Sequence, residues 1–173
     1  MKQKGKAIAF IIIGVVLTFT LLLFTGFFGV SSGRLEQDAR NSQKIDDSWA
    51  VTKSVNHEIG AMIFYNKEAD ECIFSIYLNR RGFPYKYFFR DGGSMGDIIN
   101  GVVEFTYSDN GAALLSMNKA RINKIEFGNK KVAAINLDSL KPFAVAIPDN
   151  CNSIMMYDIN GKGVPITNVL VNN

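Results

Sequence analysis

An uncharged stretch near the N terminus is the feature that most constrains what this chain can fold into. Residues 7–30 read AIAFIIIGVVLTFTLLLFTGFFGV and contain no Asp, Glu, Lys or Arg. A helix rises about 1.5 Å per residue, so this stretch reaches roughly 36 Å and can cross a hydrocarbon core about 30 Å thick. Its threonines cost little in lipid, because their hydroxyl groups can bond to the preceding turn. We therefore expect residues 7–30 to form a transmembrane helix.

The charges on the two sides of this stretch predict its orientation. Lys2, Lys4 and Lys6 precede it, whereas residues 31–48 mix basic with acidic residues. Because lysine and arginine near the ends of a span favour the cytoplasmic side, we expect residues 1–6 to be a cytoplasmic tail. The C-terminal domain then lies outside, in a single-pass protein of the cell membrane. The alternative is a signal peptide cleaved near residues 31–33, although the apolar core of such a peptide is usually only about 7–15 residues long.

The charge balance argues against nucleic acid as a partner. Lys and Arg number 19 and Asp and Glu 16, so the formal net charge is +3. Without the three lysines of the tail, 16 basic residues (19 − 3) face 16 acidic ones, and no basic face is left to collect phosphate groups. The expected partners are the lipid bilayer and another envelope protein or a wall polymer. The absence of an Asn-x-Ser/Thr glycosylation site in the sequence favours a bacterial origin.

The rest of the chain divides by composition into a linker and a domain. Residues 31–48 (SSGRLEQDARNSQKIDDS) are polar, and we expect a stalk that is helical in part and buries no core. From Trp49 onward, short apolar runs alternate with Gly, Asn, Asp and Pro, which is typical of an all-β domain. The candidate strands are Trp49–Val55, Ile59–Tyr65, Cys72–Asn79, Phe83–Arg90, Val102–Tyr107, Ala112–Met117, Ile122–Phe127, Lys131–Leu137, Phe143–Ile147, Ser153–Asp158 and Val164–Val169.

Two packed sheets around one core are the economical arrangement for so many short strands. We therefore expect residues 49–173 to form a mainly β, sandwich-like ectodomain, with an α+β fold as the alternative. Not all of the candidate strands need be real. Residues 49–65 also fit one helix, because their apolar side chains can share one helical face, and residues 96–100 fit a short helical turn.

A hairpin is predicted between the strands Cys72–Asn79 and Phe83–Arg90. Residues 80–82 (Arg-Arg-Gly) fit a three-residue loop with glycine in its left-handed position, which pairs Asn79 with Phe83. One face of this hairpin then carries the weak candidates for a binding surface, which are Tyr77, Phe83, Tyr85, Tyr87 and Phe89. If exposed, these aromatic rings could stack on sugars or dock a partner, and the arginines at the hairpin ends could meet anionic wall polymer or lipid headgroups. The favoured interpretation is that this face is the second buried face of a central strand pair.

A second hairpin is predicted at Asn160-Gly161, a strong two-residue turn signal. It joins SIMMYDI to KGVPITNV, and Pro165 places the second of these segments at a sheet edge because proline cannot donate to the ladder. Asp158–Gly161 also resembles the opening of a calcium loop. The third ligand spacing and the closing glutamate are missing, so a plain turn is favoured.

The cysteines and the histidine offer little material for catalysis or metal binding. Cys72 and Cys151 can form one disulfide outside the membrane, worth about 2–4 kcal/mol, or they are isolated thiols packed as small hydrophobes. His57 is the only histidine and has no partner at a catalytic spacing, so we expect no catalytic residue, metal or cofactor. The glycine-rich segment Asp91–Gly96 lacks the lysine of a phosphate-binding loop and is expected to be flexible.

These features favour a non-enzymatic membrane-anchored protein whose outer domain serves in binding, sensing or scaffolding at the cell envelope. One alternative is a secreted binding protein after signal cleavage. A second is a small envelope hydrolase, although Asp70 and Glu71 are adjacent and would point to opposite faces of a strand. A third is a pilin-like subunit, which resembles this chain only in layout, because here Gly5 precedes Lys6 and no glutamate occurs before Glu36.

Overall fold

The helices lie mainly at the N-terminal end of the computed structural model, which describes residues 2–24, 29–80, 82–83, 86–128, 132–149, 151 and 153–170. They are α1 (Lys2–Phe24), α2 (Leu35–Gln43), which follows a 3-10 turn at Ser32–Arg34, and the short α3 (Gly96–Asn100). In α1 the hydroxyl groups of Thr18 and Thr20 donate to carbonyl oxygens four residues earlier. Within these ranges, no helix combines the length and the hydropathy that crossing a membrane requires.

Eleven strands among the described residues form three sheets. The first sheet is antiparallel, in the order β1 (Ala50–Val55), β2 (Ile59–Tyr65), β3 (Cys72–Asn79) and β4 (Tyr87–Gly93). The second has the order β11 (Thr167–Leu170), β5 (Val103–Tyr107), β6 (Gly111–Ser116) and β9 (Phe143–Ile147), with β11 parallel to β5 and the other pairs antiparallel. The third is antiparallel, in the order β10 (Ser153–Asp158), β7 (Ile122–Gly128) and β8 (Val132–Asn136).

This architecture confirms the expected mainly β domain. Each of the eleven predicted strands has its counterpart, and the predicted helical turn at residues 96–100 is α3. The alternative of one helix over residues 49–65 is wrong, because β1 and β2 occupy this stretch and pair with each other from Ala50↔Tyr65 to Val55↔Gly60. The expectation that some strands would not form is also wrong.

The second sheet is the middle layer, and each of its faces covers a hydrophobic core. Val103 and Phe105 of β5 belong to the core shared with the first sheet, where the rings of Phe74 and Phe105 stack with centroids 4.8 Å apart. Val102 and Leu114 belong to the core shared with the third sheet. Because both faces are covered, every residue of β6 is buried, as expected for a strand with no solvent-facing side.

The segment before the first strand contributes to a third core, so the expectation of a polar stalk that buries nothing is wrong. Leu35 and Ala39 of α2 are fully buried and Ile45 nearly so, and they pack on the first sheet against Met62, Phe64, Tyr77 and Tyr87. Residues four apart share one helical face, so one turn of α2 buries both. Gly60 makes room for this contact, since an added Cβ would lie 2.7 Å from Cδ1 of Leu35. Burying one leucine side chain stabilises the fold by about 1.5–3 kcal/mol.

Charged side chains of α2 also bind the first sheet. The guanidinium of Arg40 donates to the carbonyl oxygens of Asp46 (2.9 Å) and Trp49 (3.0 Å) and lies 4.9 Å from the ring centroid of Phe64. Glu36 forms ion pairs with Arg40 and with Lys53 of β1. Helix α2 is therefore fixed to the domain by polar as well as apolar contacts.

The β3–β4 hairpin forms, but with a register four residues away from the predicted one. Asn79 pairs with Tyr87, not with Phe83, and the connection runs from residue 80 to residue 86. Gly82 has a φ of +92°, so the glycine has the expected left-handed conformation. The physical reason for the longer loop is Pro84, which has no N–H group to donate to a ladder. A register shift between Ile76 and Tyr77 further bends the strand pair.

The second predicted hairpin forms only at its turn. Gly161 has a φ of +75°, and its N–H donates to the carbonyl of Asp158. Beyond the turn, the two segments pair only briefly, through the bond from Asp158 N–H to Lys162, the bridge between Tyr157 and Gly163 and the bond from Val164 N–H to Met156. The chain then leaves β10, and β11 pairs with β5 at the edge of the second sheet. Pro165 thus precedes an edge strand, and its missing donor ends the hairpin early.

Candidate functional site

Two of the predicted aromatic binding residues are buried inside the protein. Tyr77 is fully buried and Tyr87 nearly so, both beneath α2. The hydroxyl group of Tyr77 donates to Asp38 Oδ2 at 2.7 Å, and that of Tyr87 donates to the carbonyl oxygen of Asn56. Burial, with the negative charge of Asp38, raises the pKa of Tyr77 well above its usual range. These two rings are structural, as the favoured interpretation of this face predicts, and neither offers a surface to a ligand.

The remaining members of the predicted set do not share one surface. Phe89 is 48% exposed and contacts Tyr77 edge-on, with centroids 5.6 Å apart. Phe83 is half-buried and meets Phe88 edge-on at 5.1 Å. Tyr85 lies outside the described residues. The four described rings therefore do not form one platform, because Tyr77 and Tyr87 are buried and the different register leaves Phe83 out of the strand pair.

The residue that ends the uncharged stretch is paired directly with the first sheet. Val30 N–H donates to the carbonyl of Tyr87 at 2.7 Å, and Tyr87 N–H donates back to Val30 at 3.2 Å. Gly29, with a φ of +75°, lies so close to β4 that an added Cβ would be 2.7 Å from the carbonyl oxygen of Tyr87. The domain thus begins at residue 29, and not after a stalk.

A groove of about 570 Å³ lies between the third sheet and the β5–β11 side of the second. Its lining combines polar groups with the apolar side chains of Ile154, Met155, Met156, Val164 and Ile166. Glu104 of β5 contributes a carboxyl group, which accepts a hydrogen bond from the hydroxyl of Thr106 at 3.3 Å. Burial raises the pKa of Glu104, and the Thr106 bond offsets part of this effect. A groove with a mixed lining and one partly desolvated carboxyl group suits a ligand that has both apolar and polar groups and a hydrogen-bond donor or a cation.

Sequence reasoning misses Glu104 because it expects two sheets, whereas there are three. In the alternation Val103-Glu104-Phe105-Thr106, a strand with one covered face would point Glu104 into solvent. The third sheet covers that face and half-buries the carboxyl group. The usable signal was the apolar residue Met156 in β10, which is buried in the core between the second and third sheets.

A smaller polar pocket of about 490 Å³ holds the only histidine. It is lined by His57, Glu58, Asn79, Lys86, Asp109 and Asn110. Asn79 is central to it: its side-chain amide donates to the carbonyl of His57, and its backbone N–H donates to Glu58 at 2.8 Å. Its Oδ1 is buried without a partner among the described residues. The side chain of His57 is exposed, which suits a surface histidine.

The two cysteines lie in different cores and form no disulfide, so the proposed pairing is wrong. Cys72 is fully buried with Phe74 and Ile76 between the first and second sheets. Cys151 is half-buried and packs at the core between the second and third sheets. The middle sheet separates the two thiols, and desolvation raises the pKa of each. Both pack as small hydrophobic side chains.

The two loop motifs have structural explanations. Asp158 Oδ1 accepts hydrogen bonds from the N–H groups of Asn160 (2.8 Å) and Lys162 (2.9 Å), so its carboxylate closes a plain turn, as favoured. In the glycine-rich segment, Gly92 and Gly93 pair with Ser75 and Phe74 as the end of β4. The expected flexible loop is therefore wrong for residues 91–93. Across the described parts of the chain, no group of three metal-ligating side chains occurs.

Comparison of the chain with protein-family models, with curated proteins and with solved structures finds no match.

Proposed function

We propose that this chain is a single-pass membrane protein whose sandwich-like β domain lies outside the cytoplasmic membrane and binds a ligand or partner at the cell envelope. The observation that carries the proposal is the junction at Val30. An uncharged run of 24 residues, from 7 to 30, leads into the domain, and its last residue is already paired with Tyr87. The N-terminal lysines place the tail in the cytoplasm.

The exposure of α1 supports a membrane environment for this run. Ile11 is 66% exposed and Leu21 64%, and the apolar side chains between them are similarly uncovered. Water is a costly solvent for this much apolar surface, at roughly 25 cal/mol per Å². A lipid bilayer covers it on every side, and the part of the uncharged run that precedes the domain, residues 7–28, is long enough in the sequence to cross the hydrocarbon core.

The junction also supports an anchor over a cleaved signal peptide. Cleavage near residues 31–33 would remove Val30 together with its two hydrogen bonds to Tyr87. The outer edge of β4 would then lose its backbone partner at the start of the strand, where an exposed edge invites aberrant pairing. The retained segment therefore stabilises the edge of β4 in addition to anchoring the chain.

The proposal assigns binding to the domain, with the groove beside Glu104 as the site. Among the described residues that line this groove, Glu104 is the only one with a formal charge. One carboxyl group among apolar side chains provides orientation and specificity for a ligand, and it provides no acid–base pair for hydrolysis. The ligand class that fits is a small molecule or side chain that carries an amine and has both apolar and polar groups.

Fractionation of cells that express the full chain tests the location. The membrane fraction is washed with alkaline carbonate, intact cells are treated with external protease, and the fragments are measured by intact mass. We expect the chain to stay in the membrane with residues 7–30 retained and the domain to be cleaved from outside. A soluble form that starts near residue 31 would contradict the anchor and support a secreted protein. Loss of only the first few residues would support pilin-like processing instead.

A further inference from the structure

We propose that the connection between β3 and β4 is a surface that binds the phosphate groups of anionic lipids, at the outer face of the membrane in which the chain is anchored. We call residues 80–90, which comprise this connection and the first four residues of β4, the basic–aromatic loop; the buried Tyr87 is not part of its surface. The inference rests on the proposed anchor and adds to it a specific lipid contact. It concerns a surface distinct from the groove at Glu104.

The composition of the loop is that of a membrane interface. Residues 80–90 read RRGFPYKYFFR and contain four basic residues, five aromatic residues and no acidic residue. Aromatic rings concentrate at the boundary between headgroups and hydrocarbon. Clustered arginine and lysine beside a span are attracted to anionic lipid headgroups. This combination is stronger here than anywhere else in the chain outside the N-terminal tail.

The fold brings the loop next to the end of the uncharged run. Val30 pairs with Tyr87, the first residue of β4. Only five Cα–Cα steps join Phe24, the last residue of α1, to Gly29, and they reach at most about 17 Å. Gly29 in turn contacts the loop, since an added Cβ would lie 2.9 Å from the ring of Phe88. The loop is therefore within reach of the membrane surface from which the chain emerges.

Contacts within the loop hold its basic and aromatic groups together. The guanidinium of Arg80 lies 5.0 Å from the ring centroid of Phe88, and Phe83 meets the same ring edge-on. Arg80 and Lys86 are exposed, so their cationic groups face solvent. A guanidinium stacked on a ring keeps its N–H edge available for a phosphate. Phe83 and Phe88 then lie beside the cations, where headgroups meet acyl chains.

The acidic groups near the loop reduce its charge without cancelling it. Glu58 and Asp109 line the polar pocket together with Lys86. Arg80, Arg81 and Lys86 outnumber these two carboxylates. Electrostatic attraction to lipid is therefore weaker than the loop sequence alone suggests, and strongly dependent on salt.

The test uses the full chain with one fluorescent reporter in the loop. Trp49 is the only tryptophan, so W49F with F83W gives a single signal beside Phe88. This chain is reconstituted in vesicles of phosphatidylcholine alone or with roughly 30% phosphatidylglycerol, using lipids brominated on the acyl chains as quenchers. We expect quenching of the reporter to be about twofold greater in the anionic vesicles and to fall when salt is raised to about 1 M.

Two charge variants with the same loss of three positive charges provide the comparison. R80Q/R81Q/K86Q removes the cations of the loop, and we expect it to abolish the effect of phosphatidylglycerol. K119Q/R121Q/K162Q removes exposed cations at the end of the domain where β6 leads into β7, and we expect it to leave the effect intact. Circular dichroism shows whether both variants are folded. If a triple variant does not fold, the comparison of the two lipid compositions still tests the inference, because it uses the reporter chain with all of its charges.

Equal quenching in the two kinds of vesicle would overturn the inference, as would an equal loss in both triple variants. If the reporter fluorescence does not depend on lipid composition but changes on addition of soluble polyphosphate, the loop binds an anionic polymer and the lipid proposal is wrong. The carbonate wash is read separately: a chain that is retained but shows no dependence on lipid charge contradicts only the loop, whereas a chain that is released contradicts the anchor.

Discussion

The hydroxyl group of Tyr77 in β3 donates a hydrogen bond to the carboxylate of Asp38 in α2 over 2.7 Å. This bond joins the centre of the first sheet to the helix that follows the proposed membrane segment. The ring beneath it is fully buried against Leu35 and Ala39. Helix α2, which follows the junction at Val30, is therefore part of the folded domain, and the position of the domain relative to the membrane depends on these contacts.

Replacement of Tyr77 by phenylalanine tests this bond. Loss of a hydrogen bond to a charged acceptor costs about 1.5–3 kcal/mol. We expect Tyr77→Phe to lower the free energy of unfolding by that amount in chemical denaturation of the full chain in detergent. Tyr157→Phe is the comparison, because that half-buried residue has no buried acceptor: its hydroxyl contacts the exposed Met155 Sδ at 3.6 Å and the carboxylate of Glu126, which is also paired with Lys124. Equal stability of the two variants would mean that the Asp38 bond contributes nothing.

Truncation of Leu35 tests whether residues 31–48 belong to the core. Leu35 is fully buried against the first sheet, and removal of such a side chain costs about 2–5 kcal/mol. Leu140→Ala is the matched control, since Leu140 is 74% exposed and its loss costs within about 0.5 kcal/mol. Thermal unfolding of both variants measures the difference. A Leu35 variant as stable as the Leu140 variant would restore the interpretation of this segment as a stalk.

The raised pKa of Glu104 predicts an unusual pH dependence. The folded state binds this proton more tightly than the unfolded state, so stability falls as pH rises from about 4.5 through the folded pKa. We therefore expect Glu104→Gln to be more stable than the parent chain at pH 7 and to remove this part of the slope. A stabilising substitution in the groove is typical of a binding site that trades stability for function.

Glu126→Gln is the control for Glu104. The ion pair with Lys124 lowers the pKa of Glu126, so its contribution is present at neutral pH and is lost as pH falls through the folded pKa. The two substitutions should change the pH profile in opposite directions.

A pair of small aromatic ligands tests the charge preference of the groove. Phenethylamine should raise the Tm of the parent chain more than phenylacetate does, and Glu104→Gln should remove that preference. A preference for phenylacetate would contradict the assigned ligand class.

Substitution of two glycines that both have positive φ distinguishes the cost of backbone crowding from the cost of the left-handed conformation. At Gly111 (φ +88°) an added Cβ would lie 2.2 Å from the carbonyl oxygen of Ile147, whereas at Gly161 (φ +75°) it would meet nothing within 4 Å. We expect Gly161→Ala to cost about 1–2 kcal/mol, the cost of the left-handed conformation alone. Gly111→Ala should cost clearly more, because the β6–β9 pair must move apart. Similar Tm values for Gly111→Ala and Gly161→Ala would show that the β6–β9 strand end can move to admit the added methyl group at little cost in stability.

The strands were largely predictable from the sequence, whereas their pairing was not. Breakers such as Asp109-Asn110-Gly111 separate apolar runs at close spacing, and this signal is local. The register of β3 and β4 depends on Pro84 within the loop and on Val30, which pairs with Tyr87 from a distant part of the chain. The predicted register was based on residues 80–82 alone, so it took neither Pro84 nor Val30 into account.

The two larger errors have one cause. Leu35 and Ala39 are sparse apolar residues in a polar segment, and Glu104 is a charged residue in an alternating strand. Each becomes informative only when another layer covers it: the first sheet covers Leu35, and the third sheet covers the face of β5 that carries Glu104. The number of layers is a tertiary property that periodicity within one segment does not report.

Labelling of single cysteines on intact cells tests the central claim most directly. Cys72 is buried, so a Cys151→Ser background leaves an engineered cysteine as the reactive thiol. We predict that a membrane-impermeant maleimide labels Leu140→Cys in the outer domain on intact cells and labels Gln3→Cys in the tail only after permeabilisation. Labelling of Gln3→Cys on intact cells, with Leu140→Cys protected, would contradict the proposed orientation. Protection of both positions until lysis would contradict placement of the domain outside the membrane.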